Sequence, residues 1–306
     1  MIPSPLRGGF GRLRPELRGV LLALVATVCF ACMHIGIRYL SSDLHPFEIA
    51  FFRNLFGVLS FMPWFVTGGI VALRTQRIGT HAIRAVVNTV SMLAWFTSLS
   101  LLPVADATSL SLVGPVFVTI GAILFFKEQV NPSRWIGMAV AIGGALIIVR
   151  PGLQPVSFGA GLVLAATVCV STSKLIAKSL SRTDSTAAIV AYLTFMMMGF
   201  TLVPALFVWQ RPSLEHVGLL ALIGALGTAG HILFIESYKL ADVSLVEPVM
   251  LMQMTWAAVM GLFVFAEFPD IWTWIGAAVS VAGTTYMTRR ETAKVHHAAE
   301  PLPWGA

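Results

Sequence analysis

Charged residues are scarce in this chain. Asp, Glu, Lys and Arg make up 11% of its 306 residues, while 57% of the residues are hydrophobic. Water-soluble domains average roughly 25% charged residues. The few charges also cluster and leave ten uncharged stretches, most of them near the ~20 residues that a helix needs to cross a bilayer. This distribution excludes a soluble enzyme, a nucleic-acid-binding protein and a disulfide-stapled secreted domain.

Cysteine is also rare. The chain has three cysteines, Cys29, Cys32 and Cys169, and all of them lie inside uncharged stretches. This arrangement provides no disulfide framework. Cys29 and Cys32 have CxxC spacing, but that spacing alone on a lipid-embedded helix does not predict a metal or redox site. We interpret the cysteines as small packing residues and expect neither a metal nor a cofactor.

The uncharged stretches predict transmembrane helices. Each stretch is continuous over about twenty residues and lacks the in–out alternation of a membrane β-strand. Prolines lie in or beside the intervening loops, where a missing N–H costs little. The predicted spans are 19–39, 46–69, 79–102, 104–126, 133–150, 157–179, 185–209, 214–238, 242–265 and 270–288.

The distribution of lysine and arginine predicts the orientation of these helices. With the N-terminus inside, fifteen cations fall on cytoplasmic segments and three, Arg38, Arg150 and Arg211, fall on the outer side. This is a strong positive-inside bias, and it places both termini in the cytoplasm. The run from Gly19 to Ile37 is longer than a signal-peptide core of roughly 7–15 residues, so we expect an uncleaved first helix.

The two halves of the chain repeat one another. Residues 26–29 recur at 166–169, and six of the ten positions 135–144 are identical to their partners in 274–283. Five helices per half is an odd number, so the second half must enter the membrane in the opposite direction. We therefore predict an all-α membrane protein of ten transmembrane helices in two inverted five-helix repeats. Such repeats can exchange conformations and open a central site to alternate sides of the membrane.

A duplicated motif extends this repeat. In each half, a proline-containing segment is followed by a glutamate, a tryptophan and a glycine-rich helix; the copies are 110–116, Glu128 and 135–150, then 244–249, Glu267 and 274–286. In this pattern the chain resembles the EamA-type branch of the drug/metabolite transporter superfamily over residues 19–288. The resemblance implies a carrier in the bacterial inner membrane. Its cavity would be lined mainly by the first, third, fourth, sixth, eighth and ninth helices.

The predicted organisation is a basic cytoplasmic tail (1–18), a first EamA-like repeat (19–150), a second EamA-like repeat (151–288) and a second cytoplasmic tail (289–306). The leading functional hypothesis is a secondary transporter that exports a small organic metabolite, with protons as the candidate coupling ion. One alternative is an uptake carrier for a larger metabolite such as a vitamin or nucleoside derivative. A non-transport alternative is a membrane sensor. Because HExxH, GxSxG and Walker-type motifs are absent from the sequence, we do not expect an enzyme.

Polar and sulfur-containing residues inside the spans are candidates for substrate binding, since such groups are costly in lipid. A methionine-rich and aromatic wall with few polar groups suits a small, partly hydrophobic ligand, although the same residues are typical of helix packing. Prolines inside a span can free carbonyls for a substrate or allow bending. The candidate substrate-binding residues are Asn88, Met92, Trp95, Pro115, Lys174, His231, Pro248 and Gln253.

Gating or ion coupling is assigned to His34, Arg53, Glu236 and Glu247. We expect Arg53 either to be held by a loop carboxylate, Asp43 or Glu48, or to contact a substrate carboxylate through its planar fork.

Two alternatives are open for His231 and for Lys174. His231 is either a buried histidine bonded to a carbonyl or a proton site. Lys174 faces either the cavity or the cytoplasmic edge, and Arg38 is expected to reach the membrane surface. Gly143, Gly144 and Gly283 are expected to permit close contact between helices.

Overall fold

The computed structural model of the chain describes residues 15–68, 75–126, 132–150, 157–180, 183–184, 186–240, 249 and 252–299. In this part of the chain the regular structure is helical and contains no strand, which confirms the predicted all-α fold. The helices are α1 (Pro15–Leu40), α2 (Pro46–Gly68), α3 (Ile78–Leu101), α4 (Val104–Ser111), α5 (Gly114–Phe126), α6 (Pro132–Val149), α7 (Phe158–Leu180), α8 (Thr186–Phe207), α9 (Leu214–Leu240), α10 (Met252–Phe265) and α11 (Ile271–Ala299).

Length and hydropathy identify candidate membrane spans among these helices. Six spans among the described residues are long and apolar enough to cross a bilayer, and shorter apolar helices cover 135–149, 255–265 and 271–283. Proline marks two of the helix starts, because α2 begins at Pro46 and α6 at Pro132. A proline in the first turn sacrifices no helical hydrogen bond and already has the required φ.

The fourth predicted span is interrupted. We expected one helix over 104–126, but α4 ends at Ser111 and α5 begins at Gly114, with a turn at 112–113. The cause is Pro115, because a proline inside a continuous helix lacks the N–H donor and clashes with the carbonyl four residues earlier. The last span differs as well, since α11 continues to Ala299 through part of the predicted 289–306 tail.

Helix packing brings together segments from both halves of the chain. α1 packs against α9 and α10, and α3 packs against α7 and α8. α2 contacts both α8 and α9, while α6 and α11 form an extensive pair of their own. Large apolar side chains of α1, α2 and α3 fill the space between these helices, including Phe30, Ile37, Ile49 and Leu99.

Glycine permits the close contact between α6 and α11. A Cβ atom on Gly144 would lie 2.5 Å from the carbonyl oxygen of Gly276, and one on Gly283 would lie 2.7 Å from that of Gly137. Residue numbers rise along α6 as they fall along α11, so the two helices are antiparallel. Gly143 does not share this role, because a Cβ atom there would meet nothing within 4 Å.

Candidate functional site

Five polar or aromatic side chains from four helices meet in the interior of the helix assembly. We call His34, Arg53, Asn54, Trp95 and Gln253 the central cluster. The indole Nε1 of Trp95 donates to Nε2 of His34 over 3.3 Å, and the side-chain amide of Gln253 lies 3.2 Å from Nδ1 of the same ring. His34 is 8% exposed. α1, α3 and α10 are therefore joined at one buried imidazole.

These contacts define the protonation form of His34. An indole N–H can only donate, so Nε2 must be the acceptor and Nδ1 must carry the proton of a neutral ring. Gln253 then serves as the acceptor at Nδ1 through its amide oxygen, which a half-turn of the amide brings into place. A second proton on His34 would be carried by Nε2, and its N–H group would then face the indole N–H of Trp95 with no acceptor between them. Protonation of His34 and its bond to Trp95 are mutually exclusive.

The Arg53 side chain lies in the central cluster and not beside the loop that precedes α2. Its Nη1 donates to Oδ1 of Asn54 over 3.0 Å, and Nδ2 of Asn54 lies 3.3 Å from Sδ of Met92 and 3.3 Å from Oγ1 of Thr201. Asn54 is buried and therefore fixes α2 to α3 and α8.

The expectation that Asp43 or Glu48 holds Arg53 is wrong for the described residues. Asp43 instead lies 3.5 Å from the ring of His216, and Glu48 makes no ion pair with Arg53. The physical reason is helical geometry, since Glu48 is five residues away and about 140° around the helix from Arg53.

The side chain of His231 is solvent-exposed among the described residues, in contrast to the alternative of a buried histidine. Its ring meets Phe30 edge-on with centroids 5.1 Å apart. It also lies within electrostatic range of both Arg53 and His34. His231 follows Gly227 by four residues and therefore shares the face of α9 that meets Arg53. This places His231 beside the central cluster.

The other predicted site residues are more scattered. Asn88 is half-buried one turn before Met92, whereas Lys174 is exposed on α7 and Glu236 is half-buried near the end of α9. Pro115 is the second residue of α5. Pro248 and Glu247 lie outside the described residues.

Sequence reasoning missed two contributors to this region. Thr201 on α8 bonds Asn54, and Trp256 Nε1 on α10 donates to Oγ1 of Thr27 over 3.2 Å. An isolated threonine in an apolar span carries no distinctive signal, because its hydroxyl can always bond the carbonyl one turn earlier. Its partner on another helix is visible only in the folded chain.

Charged side chains pair with one another at one end of the helix assembly. We call it the Arg38 end; it contains residues 41–45, 102–103, 150, 208–213 and 266–270. Arg38 donates to the carbonyl oxygens of Leu99 (2.9 Å) and Leu102, and it pairs with Glu267. Arg38 therefore does not simply reach the membrane surface as expected. Nearby, Arg150 and Asp270 form a second pair at 2.6 Å.

The opposite end, which we call the His81 end, contains residues 75–81, 179–180, 183–184 and 186–189. Nε2 of His81 lies 2.6 Å from Oδ2 of Asp184, which also accepts a 2.6 Å hydrogen bond from the Thr75 hydroxyl. Both members of the His81–Asp184 pair are buried, with side chains 1% and 4% exposed. The hydrogen bonds from Thr75 and His81 hold the pKa of Asp184 below its usual range.

Comparison with known proteins gives the same family twice along the chain. The profile of the EamA-like transporter family matches residues 17–150 and again residues 157–289. A solved crystal structure superimposes with a TM-score of 0.63 over 91% of this chain and 99% of its own length, at 15% identity. That likeness shows a shared fold.

Three curated relatives match over nearly their full lengths. A riboflavin transporter of Vibrio cholerae is 29% identical over 91% of this chain and 95% of its own. An S-adenosylmethionine uptake transporter of Rickettsia prowazekii is 25% identical over 91% and 95%. A pseudopaline exporter of Pseudomonas aeruginosa is 27% identical over 89% and 96%.

Proposed function

Because the chain belongs to the EamA-like transporter family, we propose that it is a secondary transporter that imports a vitamin or nucleoside derivative and binds it at the central cluster. The chain is a multi-pass membrane transporter and not an enzyme. The observation that carries the proposal is the central cluster itself, in which His34 and Asn54 are buried and Arg53, Trp95 and Gln253 are half-buried. Polar groups inside a membrane protein are expensive and characteristically mark a substrate or ion pathway.

The relatives favour uptake over the export that the sequence analysis put first. Riboflavin and S-adenosylmethionine both carry a flat heteroaromatic ring system and a ribose-derived group, and the S-adenosylmethionine relative is named for uptake. Trp95 and Phe30 offer ring surfaces beside His34 and His231, which suits such a ligand. Export is the second candidate, since a pseudopaline exporter also matches.

The proposal includes the ten-helix inverted repeat, and the contact between α6 and α11 supports it. At the offset of 139 that aligns Trp135 with Trp274, Gly144 corresponds to Gly283 and Gly137 to Gly276. Gly144 faces Gly276, and Gly283 faces Gly137. Ser280 donates to the carbonyl of its own counterpart, Ala141, over 3.1 Å. Such reciprocal pairing between antiparallel helices is what a two-fold axis in the membrane plane requires.

A second correspondence supports the same axis. In each half, the loop after the first helix carries an aspartate that meets a histidine in the first turn of the other half's third helix. The pairs are Asp184 with His81 and Asp43 with His216. The packing is matched as well, since α1 lies on α9 and α7 lies on α3. The two His–Asp pairs stand at opposite ends of the assembly.

Alternating access would then exchange the conformations of the two halves. In this proposal the Arg38 end faces the outside of a bacterial inner membrane, and the termini face the cytoplasm, following the positive-inside bias. The ion pairs of Arg38 and Arg150 would open when the site faces outward. His231, exposed beside the central cluster, is our candidate for proton coupling, and Lys174, Glu236 and Glu247 are secondary candidates.

Reconstituted flux tests the proposal. The full-length chain would be placed in proteoliposomes, and labelled riboflavin and S-adenosylmethionine would be supplied separately, with and without a pH gradient. We expect saturable uptake of at least one of them. Gln253→Ala should reduce uptake about tenfold or more, because it removes the acceptor at His34 and leaves a buried donor without a partner. Met252→Ala is the matched control, since Met252 is the exposed neighbour on the same helix.

Two results would contradict the proposal. Saturable flux of neither probe would remove the substrate assignment. Equal loss of flux in Gln253→Ala and Met252→Ala would show that the central cluster is not the binding site.

A further inference from the structure

Arg53 has a cationic guanidinium without a charged partner in the described part of the chain. Its one hydrogen-bond acceptor there is the neutral amide of Asn54, at 3.0 Å. Its Nε atom is buried and makes no hydrogen bond among the described residues. The Arg53 side chain is half-buried, and a partly desolvated cation of this kind is costly unless an anion or a set of acceptors meets it.

The position of this guanidinium is tightly constrained. A Cβ atom on Gly227 would lie 3.0 Å from Nη2 and 3.1 Å from Nε of Arg53, so the side chain lies directly over α9 at a residue with no side chain of its own. Asn54 is held in turn by Met92 and Thr201. Arg53 is therefore preorganised by neighbours on α3, α8 and α9, as a recognition group should be.

The groups around Arg53 add no negative charge. His34 and His231 lie within electrostatic range of it, and each can only be neutral or positive. Two of the described acidic residues are engaged elsewhere, Glu267 with Arg38 and Asp184 with His81. One uncompensated charge several ångströms from a ligand charge changes affinity on the order of tenfold to a hundredfold in a partly screened interior.

We infer that Arg53 determines substrate specificity: it binds an acceptor-rich group that is uncharged or anionic, such as a ring dione, a carboxylate or a phosphate, and it disfavours cationic metabolites. This inference rests on the proposed function and chooses between the two types of substrate that the proposed function allows. Riboflavin presents a ring dione and no positive charge, whereas S-adenosylmethionine carries a sulfonium and an ammonium group. The geometry thus favours flavin-like ligands over sulfonium nucleosides.

Uptake of three probes by proteoliposomes of the full-length chain tests the inference. Riboflavin is neutral, flavin mononucleotide is anionic and S-adenosylmethionine is cationic. For the wild type we expect riboflavin or flavin mononucleotide to be preferred over S-adenosylmethionine by at least about tenfold in KM. Arg53→Gln should raise KM for the preferred flavin about tenfold to a hundredfold and should shrink this preference, because the charge and the donor fork are both lost.

Two further variants guard against a folding defect. Arg53→Lys keeps the charge and should keep the rejection of S-adenosylmethionine while it weakens flavin binding, because an ammonium lacks the planar fork. Gly227→Ala should displace the guanidinium and raise KM for the flavin. Gly218→Ala is its matched control on the same helix, since a Cβ atom there meets nothing within 4 Å.

The outcomes separate this inference from the proposed function. Wild-type liposomes that take up a flavin, together with an Arg53→Gln variant of unchanged preference, would overturn the inference alone. A wild type that prefers S-adenosylmethionine would also overturn it and leave the uptake function standing. Liposomes that take up none of the three probes would overturn both.

Discussion

Gly144 lies in the contact between α6 and α11, and replacing it by alanine would place a methyl group inside backbone atoms of the facing helix. The added Cβ would lie 2.2 Å from Oγ of Ser280, 2.5 Å from the carbonyl oxygen of Gly276 and 2.6 Å from the amide nitrogen of Ser280. The serine hydroxyl can rotate away, but the two backbone atoms cannot. The helices would have to separate by about 1 Å to restore ordinary contact distances of about 3.5 Å.

This separation would loosen the pairing along the whole interface. Overpacking of a tight contact costs about 1–3 kcal/mol, and we expect Gly144→Ala to fall in the upper part of that range because the obstacle is backbone. Gly143→Ala is the matched control at the adjacent position, where the new methyl group meets nothing within 4 Å. Alanine is favoured over glycine in a helix by about 1 kcal/mol, so the control should be neutral or stabilising.

Thermal unfolding of the purified full-length chain in detergent measures this difference. We expect Tm to fall by several degrees for Gly144→Ala and to stay level or rise for Gly143→Ala. Gly283→Ala should resemble Gly144→Ala, since its Cβ would lie 2.6 Å from the amide nitrogen of Ala141. Equal Tm values for the variants at 143 and 144 would refute the reasoning. A harmless change at Gly283 would contradict the reciprocal contact that supports the inverted repeat.

Three further predictions concern polar contacts. Glu267→Gln should destabilise the chain by about 1–3 kcal/mol, because Arg38 would lose its anionic partner in a partly buried site; thermal unfolding in detergent measures it. Asp184→Asn should cost about 1–3 kcal/mol, since it removes the carboxylate that accepts hydrogen bonds from His81 and Thr75 in a buried contact. Because the pKa of Asp184 is lowered in the folded chain, the stability from this carboxylate should be complete above the ordinary carboxyl pKa of about 4 and should fall as the pH drops towards the lowered value. Trp95→Phe should raise KM for the transported substrate about fivefold, because His34 loses a hydrogen bond worth about 1 kcal/mol.

Each of these predictions has a result that would contradict it. When Glu267→Gln is combined with Arg38→Gln, the loss of stability should be smaller than the sum of the two single losses, and fully additive losses would argue against direct pairing. An unfolding temperature of Asp184→Asn equal to wild type at pH 7 would mean that the contact at the His81 end contributes nothing. Flux of Trp95→Phe equal to wild type would remove the indole N–H from the binding site.

Part of the candidate site was predictable from residue chemistry alone. Polar or amphipathic side chains inside apolar spans are energetically costly and therefore mark candidate functional residues. In this chain they include His34, Arg53, Trp95 and Gln253. Their mutual contacts were not predictable, since His34 and Gln253 are 219 residues apart. For the same reason one of the two alternatives for Arg53 was a loop carboxylate, which is near in sequence, whereas its neighbour on α9 is Gly227.

The amino-acid sequence by itself determined that this chain is a helical membrane protein, where most of its helices lie and that its halves repeat. These properties follow from composition, from uncharged length and from local backbone rules, which need no knowledge of distant neighbours. The tertiary structure alone decided which polar side chains share one site, which charged side chains pair across helices, and that Arg53 meets no carboxylate among the described residues. Those features depend on how helices rotate and pack against one another, and several alternative rotations are compatible with the same apolar pattern.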